Sequence, residues 1–295
     1  MKMKKVMETR LMRSLFHRWW NENYRRQNII MSPDYYAQLH SLLRIGQIKD
    51  VSLVRVGDTG QRSGDGAYIM ADDFLSGGVA YSFGISDDVA WDNDMAKRGY
   101  DIYMYDPTID ELPFRQSKFH FCRAGISDGK NIDSNYYSLE YFLETNQHSE
   151  NRNMILKMDV EGAEWGFLKE VKSATLELFD QIVFELHELI VDGNVRKKLQ
   201  ALQKLNATHQ LVHLHPNNFG RAIIIDGKLF SNDIEATYIR RGKYSSINME
   251  YDVKLPLPID RPNRAKTPEM CLGYWNRAFE PKADCPMLEE IYLKR

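Results

Sequence analysis

The stretch from Val79 to Asp106 constrains the fold more than any other. An apolar run, Val79 to Phe83, meets a turn at Gly84. Asp87 and Asp88 open a helical stretch, and Tyr100 to Tyr105 forms a second apolar run that ends in Asp106. Strand, turn, helix and strand in that order make a βαβ unit, whose two strands must run parallel. The unit brings the first turn and the second strand's terminal acid to one edge, where an adenosine ligand is gripped. A dinucleotide fingerprint carries three glycines, because the backbone has to approach a pyrophosphate closely. Here a single glycine is followed by Ser86 and two carboxylates. Two acids at the turn repel a diphosphate and suit a ligand bearing an ammonium and a sulfonium. S-adenosylmethionine has that charge pattern; NAD, FAD and ATP do not.

Asp106 falls 22 residues after Gly84, close to the ~20-residue spacing at which a strand-end acid meets ribose hydroxyls. The competing reading has Asp106 capping the Asp106-Pro107-Thr108 turn, since Asp-Pro also initiates turns. Phe119 to Ala124 reads as the third strand, with Gly125 and Ile126 at its end beside an adenine pocket. Upstream, Val51 to Val56 and Ala67 to Met70 are short strands around a glycine-rich loop. The Asp65–Gly66 pair of that loop is either a plain connection or a cofactor contact.

Downstream the alternation continues. Met154 to Met158 is an apolar strand ending in Asp159, followed by Glu161, a turn at Gly162 and a helix through Trp165. Ile182 to His187 is another strand, a helix is expected at about 193–207, and Leu211 to His215 leads into Asn217 and Asn218. Arg221 to Ile225 and Glu235 to Ile239 are expected to complete the sheet. Strands alternating with helices at this spacing predict a mainly parallel sheet with ligands at its carboxyl edge.

Three strand ends share a pattern: Asp159 and Glu161, Glu185 and His187, His213 and His215 are each two residues apart. In a strand that spacing puts both side chains on one face. His187 and His215 are candidates for a general base, because a neutral imidazole can take a hydroxyl proton near pH 7. Asp159 is the first catalytic candidate. Asp159, Glu185 and His213 are candidates for a magnesium or manganese site, since carboxylates with imidazole suit such ions. The alternative is that these groups are hydrogen-bonded loop anchors. His209, at a helix-to-strand junction, is expected to be structural.

A net charge of −2 gives no general argument for nucleic acid. Cys122, Cys271 and Cys285 lie at no metal-like spacing and read as free thiols. No apolar run approaches the roughly 18–20 residues of a membrane span, so a cytoplasmic enzyme is expected. Residues 1–31 are rich in lysine and arginine, with Leu11, Leu15, Phe16, Trp19 and Trp20 forming an amphipathic stripe. That helix either touches an anionic membrane surface or packs on its own domain or a second subunit. Tyr35 to Leu43 continues as a second helix, giving a helical cap over 1–50, a Rossmann-like domain over 51–250, and a tail over 251–295. The tail holds six of the ten prolines and is expected to be loop-rich.

The Gly84 stretch, followed by ILKMDVEGAEW and QIVFELHEL, resembles the FkbM-like S-adenosylmethionine-dependent methyltransferases over about residues 55–245. The resemblance implies a class I methyltransferase fold: a seven-stranded, mostly parallel α/β sheet with helices on both faces and an antiparallel last hairpin. It implies methyl transfer to oxygen, often on a sugar of a surface polysaccharide or natural product, with a nucleotide-linked sugar or glycan as acceptor. Cofactor contacts carry over to Gly84, Ser86 and Asp87 in the turn and to Asp106 at the ribose. Asp65 to Tyr68, DGAY, matches a family-like DGGY with Ala67 in place of a glycine, which draws Asp65 and Gly66 toward the cofactor. The other readings are methylation of nitrogen or of a protein side chain, and a non-catalytic adaptor.

Overall fold

The computed structural model describes residues 33–58, 65–74, 77–127, 135–190, 195–225, 228–244 and 247–277. The basic N-terminal stripe and Cys285 lie outside the described residues. The elements used below are α1 (Pro33–Leu42), β1 (Leu53–Val56), β2 (Tyr68–Ala71), β3 (Gly78–Phe83), α2 (Ala90–Lys97), β4 (Tyr100–Tyr105), β5 (Phe119–Cys122), α3 (Leu139–Thr145), β6 (Met154–Met158), α4 (Glu164–Glu170), β7 (Phe179–Leu186), α5 (Val195–Thr208), β8 (His209–Pro216) and β9 (Ile234–Arg240).

Seven strands form one sheet in the order β8-β9-β7-β6-β3-β4-β5. The pairs β5–β4, β4–β3, β3–β6 and β6–β7 are parallel, while β9 runs antiparallel between β7 and β8. This is the class I methyltransferase arrangement. One expectation is corrected. Ala222–Ile225 does not join the sheet but pairs with Lys228–Ser231 in a hairpin of its own. The seventh strand is instead the β8 edge, reached because β9 inserts next to β7.

Alternation along the strands separates two cores. Tyr81, Phe83, Tyr105, Leu156, Met158, Ile182 and Phe184 point to the side packed by α1, α3, α4 and α5. Ala80, Ile102, Met104, Ile155 and Val183 point to the other side, where Trp91 and Met95 of α2 meet Val56, Tyr68 and Met70 of the β1–β2 hairpin. Because the side-chain period of a strand is two, Asp159, Glu185 and His187 continue the parity of Ile155 and Val183 and fall on the hairpin side.

The register sets the site. Phe83 is level with Tyr105 and with Met158, and Met158 with Phe184. The next residue on each strand is therefore Gly84, Asp106, Asp159 and Glu185. Glu185 is opposite Glu235, and Glu235 is opposite His215. One row of level positions thus runs across six strands at the carboxyl edge, most of them acidic.

Residues 251–277 cover part of this edge. Trp275 donates from its indole to the Leu43 carbonyl and stacks on Phe230, while Asn276 exchanges hydrogen bonds with Ile45. The end of this segment is thereby tied to the end of α1 and its following turn. Among the described residues no helix is long and apolar enough to cross a membrane.

Candidate active site

The turn after β3 is built for close backbone approach. Gly84 has φ +81°, and a Cβ placed there would sit 1.6 Å from the Asp159 carbonyl oxygen. Only glycine fits both conditions. Its N–H donates to the Tyr105 carbonyl at 3.0 Å, and its own carbonyl accepts from the buried Lys157 ammonium at 2.7 Å. Ser86 follows in the left-handed region at φ 51°. Asp88 accepts from the Ala90 N–H at 2.7 Å just ahead of α2. A Cβ on Gly66 would lie 2.4 Å from the Asp88 carboxylate, so the Asp65–Gly66 loop abuts this turn.

Asp106 is turned inward to the protein's own backbone. Its Oδ2 accepts from Ile85 N at 2.9 Å and Ser86 N at 2.8 Å, and its Oδ1 accepts from Thr108 N and Thr108 Oγ1. A carboxylate offers about four acceptor sites, and all four are engaged. Burial would raise its pKa, but these hydrogen bonds, led by Ser86 N, outweigh it and hold the carboxyl below its usual range. Asp106 thus pins the Gly84 turn and the Asp-Pro-Thr turn to each other. Gly125 and Ile126 are buried and pair with Tyr136 and Tyr137 in a small two-stranded sheet of their own after β5.

The acids and His187 converge. From His187 Nε2 the carboxylates of Glu185, Glu161 and Asp159 lie at 3.7, 3.8 and 3.9 Å. On the far side of the ring, Glu164 Oε1 sits 3.2 Å from Nδ1 and accepts the His187 backbone N–H at 2.6 Å. The other oxygen of Glu164 accepts from Gly162 N at 2.9 Å. Glu164 is fully buried and ties the turn after β6 to the end of β7. Glu161 takes φ 53°, an uncommon conformation for a non-glycine residue, and so turns toward the ring. Asp159 accepts a 3.4 Å contact from the Tyr68 hydroxyl.

Electrostatics follow from this crowding. Burial alone would lower the His187 pKa, but the Glu164 carboxylate, then Glu185 and Asp159, push it well above the usual imidazole value. These carboxylates thus favour the protonated form of His187. Burial and the Asp159 charge push Glu185 up, against the pull of His187. Asp65 is open to solvent at the mouth of the site, yet partial desolvation and the facing Glu235 and Asp159 carboxylates raise it to about 6.

Two of the expected site residues lie elsewhere. His213 is buried against Asp260, with Nε2 at 3.0 Å from Oδ1, and does not reach Asp159 or Glu185. His215 bridges Glu235 at 3.1 Å and Glu269 at 3.3 Å, and those partners overcome burial to raise its pKa to about 10. Both are anchors for residues 251–277, because β8 lies beyond β9 at the sheet edge. The metal-competent group is instead Asp159, Glu161 and His187, whose ligand atoms lie within 4.8 Å of one another. His209 is structural as expected: it is buried, meets Thr208 and the Phe179 carbonyl, and burial lowers it to about 4.

Residues 83–211 match the family model described as a methyltransferase FkbM domain. Over that stretch the chain is similar to an FkbM methyltransferase domain. The match starts at the last residue of β3 and takes in the Gly84 turn, Asp106, Asp159, Glu164, Glu185 and His187; it ends inside β8. The comparison with curated proteins found no match. Among solved structures, a candidate hemolysin from Streptococcus thermophilus aligns at 12% identity and TM-score 0.30, over 55% of this chain and 58% of that one. The chain thus spans less than two thirds of that relative. A candidate rRNA methylase from Clostridium thermocellum aligns at 8% identity and TM-score 0.30, over 72% of this chain and 98% of that one. Likenesses this weak carry no argument about activity.

The sequence pattern did not single out Lys157, Glu164 or Tyr68 as site residues. Lys157 and Glu164 flank Asp159 in the KMDVEGAE segment, and for Lys157 a charged residue inside an otherwise apolar run was the available signal. Tyr68 gave none, because its contact with Asp159 spans 91 residues.

Proposed function

We propose that this FkbM-like methyltransferase uses S-adenosylmethionine to methylate a sugar hydroxyl, in the cytoplasm, during assembly of a capsular polysaccharide, a lipopolysaccharide or another glycan. The observation that carries the reading is the join between the side-chain-free Gly84 turn and the carboxylate wall around His187. The Gly84–Asp87 turn and the Asp65–Gly66 loop would hold the donor. Fit is supported by two features: the cradle at Gly84 that a Cβ would fill, and an acidic surround suited to a sulfonium and an ammonium. The bound donor supplies one thing, a methyl group made electrophilic by its sulfonium.

The protein's own residues then orient the acceptor and take its proton. An alcohol oxygen becomes strongly acidic as its new bond to carbon forms, so a carboxylate suffices as base. We assign that role to Asp159, which is partly accessible and oriented by the Tyr68 hydroxyl. His187, as imidazolium, is not the base. It is a fixed cation that offsets part of the negative charge and, through Glu164, keeps one orientation. Proximity of the aligned hydroxyl supplies much of the rate. A second reading, favoured by the Asp159, Glu161 and His187 spacing, is that magnesium or manganese holds the acceptor there. That requires His187 to lose its proton on metal binding.

The test is incubation with methyl-labelled S-adenosylmethionine and separated glycan and protein fractions. Label in glycan supports the reading; label in protein only overturns it. Activity unchanged after thorough chelation removes the metal reading and leaves Asp159.

A further inference from the structure

β6 is buried from end to end, yet its fourth residue is charged. Lys157 is only 5% exposed, and an ammonium withdrawn from water needs partners that replace its hydration. Its Nζ donates to the Gly84 carbonyl at 2.7 Å, and the Tyr68 ring faces it with its centre 5.9 Å away. The nearby counter-charge is Asp92, a buried residue in the first turn of α2. Among the described residues, one carboxylate oxygen of Asp92 has no hydrogen-bond partner. Burial pushes that carboxyl up and the Lys157 charge pulls it back, so lysine and acid share one desolvated patch.

The peptide that Lys157 grips is held at its other end too. The Ile85 N–H, which belongs to the same Gly84–Ile85 peptide, donates to Asp106 Oδ2 at 2.9 Å. That peptide therefore has a buried cation at its oxygen and a buried carboxylate at its N–H. Each charge matches an end of the peptide's own dipole, which is negative at oxygen and positive at N–H. Rotation of the peptide would turn the oxygen toward the Asp106 carboxylate and the N–H toward the ammonium. The two charges thus specify one orientation. Gly84 gives that specification work to do, because a residue without a Cβ leaves its own backbone weakly constrained. The neighbouring Gly84 N–H and Ser86 N–H are held separately, by the Tyr105 carbonyl and by Asp106.

We propose that Lys157 is a positioning residue for the methyl donor, which fixes the Gly84–Ile85 peptide in the orientation that receives the donor, with Asp92 as its counter-charge. The inference rests on the reading of the Gly84–Asp87 turn as the donor site and adds the residue that sets the shape of that turn. Lys157 acts through the backbone and touches neither donor nor acceptor.

The experiment measures S-adenosylhomocysteine affinity by calorimetry and thermal unfolding for the full chain, for Lys157→Met, and for Lys157→Met combined with Asp92→Asn. Methionine fills the space of the lysine stem and removes the ammonium. Alone, it leaves Asp92 buried without its counter-charge, so this variant should melt below wild type; the second substitution removes that charge and should return much of the loss. Affinity should fall about tenfold in both variants, because neither supplies a hydrogen-bond donor to the Gly84 carbonyl. Stability regained without affinity is the signature of a positioning role, and the double variant carries the test if the single one folds poorly. Affinity that returns together with stability makes Lys157 only a counter-charge for Asp92 and overturns the proposal. Affinity unchanged in Lys157→Met also overturns it and leaves the donor reading standing. No binding to the folded wild-type chain overturns the donor reading itself.

Discussion

Replacing Glu164 by Gln tests whether His187 is held as a cation by a buried carboxylate. The glutamate makes two backbone hydrogen bonds, to Gly162 and His187, and faces the His187 ring, all with no exposure to solvent. Gln keeps the shape but has one acceptor oxygen, so its amide N–H₂ must oppose either a backbone N–H or the ring. An unsatisfied buried donor costs about 1–3 kcal/mol, and the weaker, uncharged partner for the remaining bonds costs about 1–2 kcal/mol more. A loss of about 3 kcal/mol is expected, which lowers the melting temperature by about 6–12 °C for a chain of this size. The loss depends on pH in a definite direction. His187 has a raised pKa in the folded protein, so its stabilisation is complete below the unfolded value of about 6.5 and fades as pH rises through the folded value. The deficit of Glu164→Gln should therefore be largest near pH 6 and shrink toward alkaline pH. Thermal unfolding followed by circular dichroism at a series of pH values reads this out, and NMR titration of the His187 ring should show a lower pKa in the variant. A pH-independent deficit, or an unshifted His187, would refute the reasoning.

Other perturbations read other parts of the site. Gly84→Ala places a methyl group against the Asp159 carbonyl at a positive φ; a loss of roughly 2–4 kcal/mol with abolished S-adenosylhomocysteine binding by calorimetry is expected. Asp106→Ala should loosen the turn and weaken that binding at least tenfold. Its depressed pKa means the Asp106 contribution to stability is present above about pH 3.9 and is lost as pH falls through the folded value. In Asp159→Ala, label transfer should stop while S-adenosylhomocysteine binding is kept; retained turnover would remove Asp159 as proton acceptor.

The βαβ unit, the parallel sheet and the row of strand-end acids were legible because each depends on local pattern: an apolar run, a turn glycine and a terminal carboxylate. Parallel register then brings Gly84, Asp106, Asp159 and Glu185 level without further information. What the pattern could not show was where β8 lies. Spacing alone treats His213 and His215 like Glu185 and His187, but insertion of β9 moves β8 to the edge, and both histidines go to residues 251–277. The same limit applies to Ala222–Ile225, whose apolar run suits a sheet strand as well as the isolated hairpin it forms. Protonation states were also out of reach, because the charge on His187 is set by Glu164, 23 residues away in sequence and adjacent only in the fold. Asp106 shows that a residue at that spacing also serves the turn's own backbone, which spacing alone does not reveal.

Titration calorimetry of the wild-type chain with S-adenosylmethionine tests the central claim most directly. A single saturable site of micromolar affinity, lost in Gly84→Ala and kept in Asp159→Ala, is the predicted result. No binding to the folded wild-type protein would contradict the account.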